Sequence, residues 1–499
     1  MSSSVSVPEA TIASLHRAMH DGELTSVELV ETYLDRIETY DRDGPELTAV
    51  VTVNPEATAR AAELDEQFAA DGPVGPLHGI PVLVKDQAET AGIPTSFGSE
   101  AFSEYTPTED AELVRRIKDA GGIVLAKTNL PDWASSWFGY SSVLGETKNP
   151  YALDRDPGGS SAGTGAGVAA NLGTVGVGED TGGSIRVPAS CCNLFGIRVT
   201  TGLISRTGLS PLVTRQDTAG PMARTVRDMT RLLDVMVGYD PDDRWTGAAH
   251  RTPADSYLEH LDSDALSGAR LGVLRDAFGE ESDPDAAPVN AVVERALERL
   301  ADAGATLVDP VSIPDLDDRI QETSLYVQQS KHDLEAFFAA RDDTPADSVR
   351  ELYERGAYHD KLDLFEAIAT DGPADPTSSE RYWQNVAAQE ALQREIRYVH
   401  AEHDLDAMVF PDVQVVPPTR ASLQSGIDTA AYPTNTVIGS QSSCPAVSMP
   451  AGFTDDGLPV GIELLGTPFA EPTLGSLAYA YEQAVDPREP PQSTPELTP

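Results

Sequence analysis

Two glycines stand directly before a serine at Gly182-Gly183-Ser184, with Asp180-Thr181 before them and Ile185-Arg186 after them. A serine hydroxyl can attack an acyl carbon, and the enzyme must then stabilise the oxyanion of the tetrahedral intermediate with N–H donors. Glycines let neighbouring backbone N–H groups turn toward one point. The segment therefore indicates a nucleophilic serine in acyl transfer, although such a string taken alone is more often an ordinary turn.

A serine nucleophile needs a base within hydrogen-bond distance, and no histidine stands near this segment in the sequence. A lysine can act as that base if burial disfavours its charged form and lowers its pKa toward neutrality. Lys85 and Lys127 each end a short apolar run, although a lysine in that position is usually a surface residue whose stem alone is buried. The residues themselves leave the choice between the two lysines open.

Other reaction classes fit the sequence less well. The segment 159–163 satisfies the pattern G-x-S-x-G, but the polar residues 149–157 before it are not the buried strand that a nucleophile elbow requires. The histidines available for a Ser–His–Asp triad lie in acidic helical segments typical of solvated faces: His250, His332 and His403. No phosphate-binding loop and no metal site of recognisable spacing occurs, so no metal or organic cofactor is implied.

The sequence pattern around the candidate residues indicates an α/β fold. The apolar runs that end at Lys85 and Lys127 are joined by a helix predicted over about 110–120, which gives a strand–helix–strand rhythm. From 157 to 183 the composition changes to Gly, Ser, Ala and Thr, as a closely packed catalytic loop system requires. Further along, the pattern predicts helices near 289–303, 319–340 and 378–403, and strands near 405–411 and 445–465.

The chain has 499 residues with no evident repeat or linker, so the sequence predicts one domain over 1–499. It also predicts a variable helical insertion at about 240–400 and a loose C-terminal tail at 485–499, which is rich in Pro, Glu and Ser. The N-terminus does not resemble a signal peptide, and no apolar stretch approaches membrane-spanning length. The expected compartment is therefore the cytoplasm.

Charge is the strongest feature of the composition, because the formal net charge is −45 while 40% of the residues are hydrophobic. Phosphate contacts need basic patches, so direct nucleic-acid binding is not expected. The apolar fraction is too high for an acidic disordered chain. The interpretation is a folded protein with an acidic, hydrated surface, as in the acidic proteomes of halophilic organisms, where high salt screens self-repulsion. The three cysteines, two of them adjacent, predict no disulfide framework.

Several motifs in order resemble the amidase signature family. The segments Gly158-Gly-Ser-Ser-Ala-Gly163 and Asp180-Thr-Gly-Gly-Ser-Ile-Arg186 place Ser160 and Ser184 24 residues apart, as in the catalytic serines of that family. Pro76-Leu-His-Gly-Ile-Pro-Val-Leu-Val-Lys-Asp86 is similar to the family's catalytic-lysine segment, which selects Lys85 over Lys127. Similarity extends from about 10 to 482 and is weakest between 240 and 400. The resemblance implies an α/β fold with a large mixed β-sheet between layers of helices.

The resemblance also implies a mechanism for amide hydrolysis by a Ser–cisSer–Lys triad. Ser184 would attack the amide carbonyl, and Ser160, in a cis peptide arrangement, would pass its proton to Lys85. The backbone N–H groups of residues 181–184 would form the oxyanion hole: Thr181, Gly182, Gly183 and Ser184. Ser161, Asp180 and Arg186 would support the loop. One departure from the family pattern is Ala162, where a glycine is usual.

Three functions fit this resemblance. The first is a stand-alone amidase that converts a small-molecule carboxamide to a carboxylate and ammonia, with the 315–400 helices and the 432–439 loop lining its pocket. The second is the glutaminase component of a glutamyl/aspartyl-tRNA amidotransferase (its A subunit), but residues 340–400 lack an evident counterpart of the Arg-rich segment found there. The third is an inactive binding or scaffold homologue, against which the intact catalytic positions argue. By analogy with the family, a homodimer is compatible with the sequence.

Overall fold

The β-strands of the protein are distributed along most of the chain. The computed structural model describes residues 6–252, 256–426 and 428–497. The strands are β1 (Val50–Val53), β2 (Pro81–Lys85), β3 (Ile123–Thr128), β4 (Tyr140–Ser141), β5 (Gly145–Glu146), β6 (Val175–Asp180), β7 (Phe195–Arg198), β8 (Thr218–Ala223), β9 (Arg270–Leu274), β10 (Thr306–Val311), β11 (Ala407–Pro411), β12 (Ala446–Phe453) and β13 (Pro459–Leu465).

Helices alternate with these strands. They are α1 (Ile12–His20), α2 (Ser26–Arg36), α3 (Ala57–Asp71), α4 (Glu112–Asp119), α5 (Ala162–Ala169), α6 (Arg186–Cys191), α7 (Val226–Met236), α8 (Ala287–Asp302), α9 (Leu316–Glu322), α10 (Tyr326–Ala339), α11 (Val349–Glu354), α12 (Asp363–Asp371), α13 (Glu380–His403), α14 (Arg420–Gln424), α15 (Val437–Gln441) and α16 (Glu471–Val485). Within the described residues, no helix is long and apolar enough to cross a membrane.

Within the described ranges, 11 strands form one mixed sheet in the order β1-β3-β2-β6-β8-β7-β12-β13-β11-β9-β10. The strands β3, β2 and β6 run parallel to one another, whereas β6 and β8 are antiparallel. Every residue of β2, β3 and β6 is buried. Since alternate residues of a strand face opposite sides of a sheet, both faces of this region are covered. The predicted fold, a large mixed sheet between layers of helices, is confirmed.

The region 240–400 contains more than the helices that its sequence predicts. The predicted helices near 289–303, 319–340 and 378–403 correspond to α8, to α9 with α10, and to α13. However, β9 and β10 also lie in this region and form one edge of the sheet. The residues of β10 are largely exposed or half-buried, so the strand lacks the apolar run by which the buried strands are recognised.

The described part of the C-terminal segment is held against the body of the protein. The Arg36 guanidinium donates to the carbonyl oxygens of Thr494 and Pro495, each at 2.9 Å. Arg488 contacts the Glu9 carboxylate at 2.9 Å and donates to the carbonyl of Ala169 at 2.9 Å. This differs from the loose tail that the composition predicts, because the contacts use backbone carbonyls and two arginines that composition does not reveal.

Candidate active site

Lys85 lies at the carboxyl end of β2, between β3 and β6, and its side chain is 1% exposed. Its Nζ donates to the Ser160 Oγ at 2.8 Å and to the backbone carbonyl of Glu179 at 3.2 Å. Burial lowers the pKa of the lysine below its usual range, although the nearby Glu179 and Asp180 carboxylates oppose that shift. The position and environment are those that a lysine base requires.

Ser160 and Ser161 lie in the turn immediately before α5, and the peptide bond between Gly159 and Ser160 is cis. The Ser161 Oγ donates to the Glu179 carbonyl and accepts from the Glu179 N–H, both at 3.2 Å. The Ser161 N–H donates to the Ser184 carbonyl oxygen at 3.2 Å. Ser161 therefore joins the turn that carries Ser160 to the segment that carries Ser184.

Ser184 lies between β6, which ends at Asp180, and α6, which begins at Arg186. The Asp180 carboxylate accepts from the Ile185 N–H at 3.1 Å and pairs with Arg186 at 3.1 Å and Arg198 at 2.9 Å. Burial alone would raise the pKa of Asp180, but the two guanidinium groups reverse this and lower it. The ionised carboxylate thus contacts the loop at Ile185 and Arg186 and ties it to Arg198.

The loop backbone leaves its N–H groups free. Within the described residues, the N–H groups of 181–184 donate no hydrogen bond to another residue. Gly183 has φ +145°, where a side chain is disfavoured, and a Cβ there would overlap the Thr436 side chain. The Thr436 hydroxyl donates to the Gly182 carbonyl at 2.9 Å. The loop therefore has free donors and a fixed backbone, the two features that an oxyanion hole needs.

Lys127, the alternative base, has a different environment. Its Nζ lies 3.1 Å from the Asp86 carboxylate and donates to the Ala88 carbonyl at 2.7 Å and the Thr95 hydroxyl at 3.0 Å. Its side chain is fully buried, as is that of Asp86. These partners, which do not include Ser160, define a buried structural ion pair.

A cavity of about 220 Å³ opens onto the loop and is lined by Thr181, Gly182 and Ser184. The rest of its wall is largely apolar, with acidic and hydroxyl groups: Ala134, Ser136, Trp137, Leu212, Ser324, Tyr326, Val327, Asp363, Leu364, Ala367, Asp428, Thr429 and Ala430. Residues of the 315–400 region line the cavity, as the sequence predicts. The predicted 432–439 loop does not appear in the lining, which contains residues 428–430 instead. The contributions of 134–137 and Leu212 carried no recognisable sequence signal.

Glu179 is the other residue that the sequence did not point to. Its carboxylate Oε2 lies 3.5 Å from the Lys85 Nζ, and its side chain is 3% exposed. It stands one position before the recognised Asp180-Thr-Gly-Gly-Ser motif. Consecutive strand residues point to opposite faces of a sheet, so Glu179 must face away from the side that Asp180 faces. This alternation is the one sequence signal that would have placed Glu179 beside Lys85.

Comparison with known proteins identifies the class of this protein. A family model described as Amidase matches residues 28–474. The native peptide amidase from Stenotrophomonas maltophilia superimposes with a TM-score of 0.84 at 36% identity, over 97% of this chain and 98% of that one.

Two curated relatives span nearly the same length. A probable amidase of Arabidopsis thaliana is 32% identical over 99% of this chain and 93% of its own length. The A subunit of the glutamyl-tRNA(Gln) amidotransferase of Geobacter metallireducens is 32% identical over 95% and 97%, respectively. The chain belongs to the amidase family, and it is a hydrolase that acts on amide C–N bonds.

Proposed function

We propose that this protein is a stand-alone amidase that uses Ser184 as nucleophile, Ser160 as proton shuttle and Lys85 as base. The observation that carries the proposal is the buried 2.8 Å contact between the Lys85 Nζ and the Ser160 Oγ. The turn that holds Ser160 is itself hydrogen-bonded to the backbone of Ser184. The backbone of Ser184 is thus joined to the turn that carries Ser160, and Ser184 itself lines the cavity.

The chemistry follows from these positions. Ser184 Oγ bonds to the amide carbon while its proton passes to Ser160, whose own proton passes to uncharged Lys85. The free N–H groups of residues 181–184 stabilise the oxyanion. When the C–N bond breaks, the proton returns through Ser160 to the leaving nitrogen, which departs as ammonia or an amine. Water then attacks the acyl-enzyme by the same proton route and releases the carboxylate.

The cavity supports an apolar acyl group in the substrate. Trp137, Leu212, Val327 and Leu364 form much of its wall, and no lysine or arginine lines it within the described residues. A free glutamine would bring an α-carboxylate into this space, where a buried charge without a cation is unfavourable. The lining therefore favours carboxamides whose acyl side is apolar and carries no negative charge.

The second candidate function is the glutaminase component of a tRNA-dependent amidotransferase, which the curated relative from Geobacter metallireducens supports. The peptide amidase structure supports the stand-alone function instead. The two functions differ in what the purified chain does alone, because a dependent component would need its partners and charged tRNA before it released ammonia.

The setting proposed for this activity is a halophilic cytoplasm. The net charge of −45 supports it, because an acidic surface of this density is stabilised when high salt screens the repulsion. Assays therefore belong in molar KCl.

Ammonia release by the purified chain tests the proposal. We expect turnover of apolar primary amides and a much slower reaction with glutamine. Ser184→Ala should abolish ammonia release, and Ser442→Ala is the matched control, because the buried Ser442 hydroxyl donates to two backbone carbonyls of α15, at 2.7 and 3.0 Å. Turnover by Ser184→Ala, or ammonia release only after amidotransferase partners and charged tRNA are added, would reject the proposal.

A further inference from the structure

Two adjacent acidic residues at the end of β6 have different partners. Side chains of consecutive strand residues point to opposite faces. Asp180 points to Arg186 and Arg198 and is fully paired. Glu179 points to the other face, where its Oε2 lies 3.5 Å from the Lys85 Nζ, with side-chain exposures of 3% and 1%.

The hydrogen bonds around this pair leave one carboxylate oxygen for the lysine. The Thr181 hydroxyl contacts Glu179 Oε1 at 3.2 Å, and it also contacts an Asp217 carboxylate oxygen at 2.6 Å. The Glu179 Oε2 has no hydrogen-bond partner among the described residues. Lys85 already has the Ser160 Oγ and the Glu179 carbonyl as acceptors. An ammonium group has three N–H donors, and the Glu179 Oε2 lies at ion-pair distance, 3.5 Å, from the Nζ that carries the third.

A buried lysine base has to be uncharged before proton transfer and charged after it. An isolated ammonium group is costly in an apolar interior, whereas a paired one is much less so. Burial lowers the pKa of Lys85 and raises that of Glu179, while the attraction between them opposes both shifts. The Asp217 carboxylate also raises the pKa of Glu179. In its ionised form, the Glu179 carboxylate lies close enough to Lys85 to neutralise the charge of the protonated base.

We propose that Glu179 is a positioning residue whose carboxylate holds the counter-charge for the ammonium formed when Lys85 takes the proton of Ser184 through Ser160. This inference rests on the proposed function of Lys85 as the base. The proton moves from the Ser184 hydroxyl to Ser160, from Ser160 to the Lys85 nitrogen, and back to the leaving nitrogen. Glu179 forms no bond to the substrate and acts only through Lys85.

Other charged groups also face this pair. Asp217 immediately precedes β8 and contacts the Thr181 hydroxyl. Asp180 and Arg198 form an ion pair on the face of β6 opposite to Glu179. Tyr326 of α10, which lines the 220 Å³ cavity, is also near these carboxylates. A second cavity of about 290 Å³ borders Glu179 and brings further charged residues near it: Arg206, Asp217, Asp242, Asp243 and Asp333. Among these groups, Glu179 is the one with a carboxylate oxygen 3.5 Å from the Lys85 nitrogen.

The pH dependence of kcat/KM for a neutral amide tests the proposal. A carboxylate favours the charged form of an adjacent lysine, so Glu179→Gln should lower the pKa of Lys85 and move the acid limb down by about 1 pH unit or more. The plateau at high pH should fall at least about threefold, because the ammonium formed during the reaction has lost its counter-charge. Glu179→Asp keeps the charge and should have an acid limb closer to that of the unaltered enzyme.

Glu471→Gln is the matched control, because it neutralises a buried carboxyl that accepts from the Thr200 N–H at 2.6 Å rather than contacting Lys85. Its acid limb should not move. An acid limb and plateau unchanged by Glu179→Gln, or an upward shift of the limb, would overturn the proposal. If Glu179→Gln does not fold, Glu179→Asp provides the test instead. A folded Glu179→Asp whose acid limb moves down by about 1 pH unit would also overturn the proposal.

The role of Lys85 is tested separately in the same series. If Lys85→Met retains turnover, the proposed function itself fails. If Lys85→Met is inactive while Glu179→Gln behaves like the unaltered enzyme, only the role of Glu179 is rejected.

Discussion

A single methyl group added at Gly182 should disable the enzyme by displacing the loop. A Cβ built at this position overlaps the Tyr326 hydroxyl and the edge of the Trp137 ring. Overpacking of this kind costs about 1 to 3 kcal/mol. A shift of about 1 Å in a reacting group costs on the order of 100-fold in rate. We therefore expect Gly182→Ala to lower kcat/KM about 100-fold, equivalent to about 2.7 kcal/mol of transition-state stabilisation.

A double-mutant cycle with Tyr326→Phe isolates the cause. The Tyr326 hydroxyl is buried and has no hydrogen-bond partner among the described residues, so its removal alone should change the free energy of unfolding little. In the Gly182→Ala background the same removal should recover about tenfold in kcat/KM, a coupling of about 1.4 kcal/mol. Recovery stays partial because the added Cβ still overlaps the Trp137 ring.

Initial rates of ammonia release for the four proteins, with thermal melting as a check on folding, give the cycle. Unchanged kcat/KM in Gly182→Ala would refute the reasoning about the loop. If Gly182→Ala/Tyr326→Phe is no faster than Gly182→Ala, the contact with Tyr326 is not what displaces the loop.

Three further expectations concern the shuttle, the second lysine and the surface. Ser160→Ala should lower kcat by about 10² to 10⁴, because it removes the route by which protons reach the base, and stopped assays of ammonia release measure this. Lys127→Met should instead destabilise the fold by about 3 to 5 kcal/mol, because it leaves Asp86 buried without its cation; a lower melting temperature checks this, and an unchanged one would contradict the ion-pair assignment. The melting temperature of the unaltered protein should rise between dilute buffer and molar KCl, since salt screens a net charge of −45, and a fall would contradict the halophilic setting.

The elements near the site could be predicted from the sequence because each has a local signal. For example, Thr25 caps the N-terminus of α2 and forms a capping box with Glu28, a pattern of residue types that is visible in the sequence. Lys85 and Lys127 both end apolar runs, and these runs are adjacent parallel strands in which Lys85 stands opposite Thr128. Local pattern could not distinguish them, because the difference lies in the partner that each lysine meets across the fold.

The remaining features depend on contacts between distant parts of the chain. Glu179 is placed beside Lys85 by strand pairing, and Trp137 and Tyr326 meet at Gly182 although 189 residues separate them in the sequence. The edge strand β10 lacks an apolar pattern because much of it is exposed. The C-terminal segment depends on the buried Arg36, whose partners are backbone carbonyls and leave no mark on the sequence.

The identity of the nucleophile is the central claim, and covalent labelling tests it most directly. The purified protein would be treated with a fluorophosphonate in molar KCl, digested, and its peptides mapped by mass spectrometry. We expect one adduct per chain on Ser184, formed much more slowly in Lys85→Met and absent in Ser184→Ala. An adduct on Ser160 or Ser161 in the unaltered protein, or labelling that is indifferent to Lys85, would contradict it.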